Sequence, residues 1–185
     1  MYKAVSDEIL LQVDKPARYV GGEVNMVKKN ISDVDIRFAF CFPDTYEVGM
    51  SFLGMKILYE ILNAREDIWC ERCFMPWVDM RREMQQRGLP LYALESKDPL
   101  SEFDVIGFTL QYELSYTNIL AMLDLAGLPL LCEERTDEMP IIVAGGPCAC
   151  NSEPLTDFID LFMLGEGEIQ LPAVCDTIIA GRKAG

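Results

Sequence analysis

Apolar residues gather into short runs, each closed by polar or glycine-rich residues. Residues 36–43, Ile-Arg-Phe-Ala-Phe-Cys-Phe-Pro, lead into Asp44-Thr45-Tyr46-Glu47-Val48-Gly49, and residues 104–111 repeat the form with Thr109-Leu110-Gln111 at their end. Residues 140–144 run into Gly145-Gly146-Pro147, and residues 157–164 into Gly165-Glu166-Gly167-Glu168. Such runs, too short to span a membrane, predict strands, the first of them buried on both faces, and residues 157–164 a strand or a short helix plus strand. Residues 68–74 add another strand and residues 91–94 a weaker one. Between the runs the period lengthens: Leu53, Ile57 and Ile61 share one face of a helix predicted over 50–63. Asp44 and Thr45 stand where side-chain oxygens could cap it. Further helices are predicted over 76–87, stopped at Gly88, over 114–126, stopped at Gly127, and over 169–180.

Strands alternating with helices predict an α/β fold: a doubly wound, mostly parallel sheet of about five strands with helices on both faces and right-handed crossovers. Residues 1–35, broken by Lys15-Pro16, Gly21-Gly22 and Lys28-Lys29-Asn30, read as an N-terminal arm with at most a short helix near 7–13. Residues 36–185 form the domain. Ligands of such sheets sit at the carboxyl ends of the strands, so the turns at 44–49, 109–113, 145–151 and 165–168 are expected to gather on one rim around one cleft.

Composition narrows the chemistry. With 185 residues the chain makes one ordinary domain, and 16 basic against 30 acidic residues give a net charge of −14. Phosphate backbones and anionic membrane surfaces are repelled by that charge, so neither nucleic acid nor membrane is an expected partner. The N-terminus lacks a basic segment leading into an apolar one, and a cytoplasmic protein is expected. Seven scattered cysteines suit a reducing compartment better than a disulfide framework. Histidine is absent altogether, which removes the commonest metal ligand and the commonest general base at neutral pH. Neither G-x-G-x-x-G nor G-x-x-x-x-G-K-[ST] occurs, so nucleotide phosphates have no ready cradle. Cys70-Glu71-Arg72-Cys73 is a lone pair of thiols without further ligands, and Cys148-Ala149-Cys150 lies beside the paired glycines at the cleft. The ten methionines read as packing.

Asp44-x-Tyr46-x-x-Gly49, Thr109-Leu110-Gln111 and Gly145-Gly146, in this order at successive strand ends, resemble the D-x-H-x-x-G, S-x-L and G-G motifs of the cobalamin-binding Rossmann-like family. Together with Gly165-Glu166-Gly167-Glu168, the span from about 36 to 180 looks like the N-terminal domain of cobalamin-type radical S-adenosylmethionine (SAM) proteins. The resemblance implies a cofactor cleft formed by Asp44, Thr45, Tyr46, Gly49, Thr109, Gln111, Gly145 and Gly146. Thr109 keeps a hydroxyl where the family meets the nucleotide tail, and the two glycines keep the backbone bare there. Tyr46 stands where the family carries its axial histidine, so a histidine-ligated cobalamin is excluded. The resemblance further implies a downstream radical SAM barrel with a 4Fe–4S cluster held by C-x-x-x-C-x-x-C, a motif absent from these residues. The chain alone is therefore expected to be non-catalytic, positioning a cofactor or substrate for the barrel. The alternative is a module that binds no cofactor and docks the barrel or a partner protein. Flavodoxin-like FMN binding is disfavoured because the first turn lacks a Ser/Thr/Gly run to hold phosphate.

Overall fold

The computed structural model describes residues 5–184. Its centre is a five-stranded, all-parallel sheet in the order β2-β1-β3-β4-β5: β1 Ile36–Phe42, β2 Ile68–Phe74, β3 Val105–Thr109, β4 Ile141–Gly145 and β5 Leu161–Met163. Every residue of β1, β2 and β3 is buried, which is why these strands show no apolar/polar alternation; the charges they do carry, Arg37, Glu71 and Arg72, are buried too. Helix α1 (Asp7–Leu10) and α2 (Ala17–Val20) belong to the arm; α3 (Tyr46–Ser51) and α4 (Leu53–Asn63) follow β1. Helix α5 (Val78–Arg87) follows β2, α6 (Tyr116–Leu125) precedes β4, and α7 (Gly167–Ala184) ends the chain.

Strand order reverses direction between β1 and β3. Right-handed crossovers on either side of that point must then lie on opposite faces, α4 on one and α5 with α6 on the other. Helix α7 returns to pack beside α4. Pro172 lies inside it and leaves the Glu168 carbonyl without its usual helical donor. Buried side chains from all three layers make one continuous core, with Met55, Met80, Met84 and Met122 among its filling.

Two sequence expectations are corrected. Residues 91–94 are buried but form no strand: the Leu91 amide donates to Leu125, the Leu94 amide donates to Arg72, and Tyr92 makes only an isolated antiparallel bridge with Pro99. An apolar run whose amides turn to three different partners crosses the edge of the sheet as a connection. Asp44 and Thr45 do not cap the following helix either. Asp44 Oδ1 accepts the Thr45 amide at 2.6 Å, and Thr45, at the N-cap position of α3, makes no side-chain cap bond.

Buried charge ties β1 and β2 to each other and to the connection at the sheet edge. Arg37 of β1 reaches Glu71 of β2 at 2.7 Å and Asp98 at 2.8 Å, and Arg72 pairs with Glu95 at 2.7 Å. Cys70 and Cys73 are both buried, as a thiol pair with no third ligand would be. Among the described residues no helix is long and apolar enough to cross a membrane.

Candidate functional site

A crevice of about 210 Å³ opens between the sheet and the helices α4 and α7. Its floor follows from register. Phe40 lies beside Gly107, Thr109 beside Gly145, and Gly145 beside Met163, so with Phe38 these residues share one face of the pleat. Gly54 and Leu58 of α4 form one wall, Gly167, Glu168 and Leu171 of α7 the other, and Phe52 stands at the junction of α3 and α4. The crevice reaches the C-terminal rim at Gln111, Gly146 and Pro147.

Missing Cβ atoms give the crevice its shape. A Cβ on Gly107 would stand 2.4 Å from the Phe38 ring, so the bare strand lets the ring lie across β3. A Cβ on Gly145 would meet Met163 at 3.3 Å, and one on Gly167 would meet Leu58 at the same distance. Gly146 has φ +116, and a Cβ there would lie 2.8 Å from the Leu110 carbonyl; only glycine lets the β4 turn approach the β3 turn so closely. The lining is otherwise mostly apolar, with few polar groups. Gln111 Nε2 donates to Thr109 Oγ1 at 2.5 Å, which holds the amide and the hydroxyl together at the mouth.

Four of the residues expected at the cleft, Thr109, Gln111, Gly145 and Gly146, therefore line one crevice. Asp44, Thr45, Tyr46 and Gly49 do not line it. Asp44 stays near the mouth of the neighbouring turn, its Oδ2 accepting the Tyr112 hydroxyl at 2.7 Å. Helix α3 leans the other way, toward β2, because Phe74 packs into the space that Gly49 leaves: a Cβ there would lie 2.3 Å from the ring. Tyr46 stacks edge-on against Phe74 at 5.4 Å and shares a small cleft with Arg18 and Tyr19 of the arm. Burial, reinforced by a hydrogen bond to Glu23, pushes its phenol up to about 12. It stays protonated in ordinary buffers. Next to it, the Arg18 guanidinium, with Lys15, pulls the Glu47 carboxyl down to about 2.

Cys148 lies just beyond Pro147 and does not line the crevice. Its thiol is pushed up by desolvation and by the Glu113 carboxylate, while the Cys148 amide is tied to the Leu110 carbonyl. No group of three or more Cys, Asp or Glu side chains suited to a metal ion occurs among the described residues.

Gly54, Gly107, Phe38 and Leu58 were not singled out by sequence reasoning, whereas Gly167 and Glu168 belong to the 165–168 turn expected at the cleft. Gly107 carried the one available signal, a glycine in the middle of a buried strand, which marks a close approach.

A family described as the N-terminal region of radical SAM proteins matches residues 54–185. The uncharacterized protein MJ0966 of Methanocaldococcus jannaschii is 30% identical over 132 residues, covering 70% of this chain and 24% of that protein. The chain thus spans about a quarter of the length of this relative. The family match begins inside α4, so β1 and the turn after it precede the matched stretch, whereas β3, β4 and both crevice helices fall largely or wholly within it.

Proposed function

The chain belongs to the family of N-terminal regions of radical SAM proteins, and from that premise we propose that it holds the nucleotide tail of a cobalamin-type cofactor in the crevice. In this reading the domain, residues 36–185, positions the cofactor for a radical SAM catalytic part of the polypeptide, which carries the 4Fe–4S cluster and S-adenosylmethionine. The arm, residues 1–35, steadies the turn after β1. The chain itself carries no catalytic residue.

One observation supports the reading most strongly: Gly145 and Gly167 line the crevice without side chains, and its mouth carries the hydroxyl of Thr109. Its volume exceeds the roughly 150 Å³ of an engineered apolar cavity that accepts benzene, so a flat heterocyclic base fits within the walls of Phe38, Phe40, Phe52 and Leu58. Aromatic and aliphatic walls desolvate such a base, and Thr109 and Gln111 offer its polar end hydrogen bonds at the rim. The cobalt side has no protein donor to match. Tyr46, in the family's histidine position, points to the arm and keeps its proton. The residues therefore fit the tail of the cofactor, while the metal takes no ligand from this chain's described residues. Bound in this way, the cofactor would bring cobalt chemistry to the rim.

Titration of the purified chain with hydroxocobalamin tests the reading. A shift of the visible spectrum and co-elution of colour with protein are expected, and both should be lost in Gly145→Val, whose side chain projects from the crevice floor against Met163. Wild-type protein that neither shifts the spectrum nor retains colour at high concentration would sink it, as would full retention by a folded Gly145→Val.

A further inference from the structure

Exposed apolar side chains concentrate where the strands end. Leu53 is 66% exposed, Leu114 88%, Leu164 58% and Ile169 72%, and each lies in a segment that follows the carboxyl end of a strand. The same segments, residues 43–55, 110–118, 145–156 and 164–170, contain no lysine and no arginine, and the exposed Lys56 follows directly on the first of them. They do contain Glu113, Glu153, Glu166 and Glu168, all exposed and without an ion pair among the described residues. The arm's cations, Lys15 and Arg18, reach only Glu47 on this side.

An apolar rim is commonly a contact surface, because large exposed patches otherwise promote nonspecific association. The charges around this one choose its occupant. A nucleic acid or an anionic lipid surface would bring phosphates against carboxylates that outnumber the nearby cation Lys56. A second copy of the chain would bring carboxylates against carboxylates. A polypeptide segment with an apolar stripe and flanking lysines or arginines would cover the leucines and meet each free glutamate with an opposite charge.

We propose that the C-terminal rim is a docking surface for a basic, amphipathic polypeptide segment, seated on Leu53, Leu114, Leu164 and Ile169 and flanked by Glu113, Glu153, Glu166 and Glu168. The surface stands on its own and does not depend on what the crevice holds.

The test uses the whole 185-residue chain and three helical peptides: one amphipathic in leucine and lysine, one with the lysines alone, and one amphipathic in leucine and glutamate. Binding is followed by fluorescence anisotropy and located by amide hydrogen exchange. The leucine–lysine peptide should bind tightest and protect the amides around residues 53, 114, 164 and 169. Leu114→Ser with Leu164→Ser should weaken it about tenfold, on the scale of losing contacts near an interface centre, and Glu113→Gln with Glu166→Gln should flatten its salt dependence. Gly145→Val, which blocks the crevice, should leave it unchanged. Equal binding of the lysine-only peptide, equal binding of the leucine–glutamate peptide, or protection located on the arm or on α6 would each overturn the proposal.

Discussion

At the scale of single residues, one missing methyl group decides where the turn after β1 goes. Gly49 lets the Phe74 ring pack against α3, and α3 in turn carries Tyr46 toward the arm and away from the crevice. Gly49→Ala should therefore destabilise the fold by about 1–3 kcal/mol, the range of an overpacked core, measurable as a lowered urea midpoint; an unchanged midpoint would remove this explanation of the tilt. Tyr46→His should not create a cobalt ligand, because the side chain faces Glu23 and Arg18, so the hydroxocobalamin spectrum of the variant should match that of the wild type. The two titrating groups of this turn act at opposite ends of the pH scale. Glu47 has a folded value near 2 against an ordinary 4.5, so its stabilising effect is present above about pH 4.5 and is lost as pH falls toward 2. Its carboxylate is 44% exposed, which limits the effect to about 0.5 kcal/mol. Tyr46 is raised from 10 to about 12, so its contribution is present below pH 10 and is lost as pH rises through 12. In Glu47→Gln the acid limb of a thermal-stability profile should flatten while the alkaline limb stays; loss of both limbs together would contradict these assignments.

At the scale of elements, register assembles the site. Parallel pairing sets Phe40, Gly107, Thr109, Gly145 and Met163 on one face, and the crevice exists because the helices above that face bring Gly54 and Gly167 toward it. The strands were legible in the sequence because each is a mostly apolar run ended by turn formers, although β2 carries the buried pair Glu71-Arg72 and the edge strand β5 is only partly buried. Residues 91–94 read the same way and misled, since an apolar segment is buried equally well as an edge connection. The rim loops were legible from topology alone. The crevice was legible in part, through Thr109, Gln111, the paired glycines and the 165–168 turn; its α4 wall was not, because helical periodicity treats a position such as Gly54 as ordinary. The buried pair of Arg72 and Glu95 stitches β2 to that edge connection. Burial pushes the Glu95 carboxyl up even with the guanidinium beside it, which marks a pair whose desolvation is expensive. Arg72→Met should lower stability by about 3–5 kcal/mol, whereas Arg72→Met with Glu95→Leu should recover much of the loss in chemical denaturation. A double variant as unstable as the sum of the two singles would show that the pair is not coupled.

At the scale of the whole molecule, the parts divide the labour. The sheet supplies a rigid floor, the arm holds the turn after β1, and α4 with α7 enclose the crevice. The charge of −14 opposes polyanionic surfaces such as nucleic-acid backbones. Absence of histidine from the chain and the direction of Tyr46 mean that, in the proposed reading, retention of a cobalamin would depend on the nucleotide tail in the crevice rather than on cobalt ligation. The most direct measurement is a side-by-side calorimetric titration of the intact chain with hydroxocobalamin and with cobinamide, which has the corrin but no nucleotide tail. The account predicts that cobalamin binds and that cobinamide binds at least about a hundredfold more weakly, a difference of roughly 2.7 kcal/mol. Equal affinity for the two, or no heat with either, would contradict it.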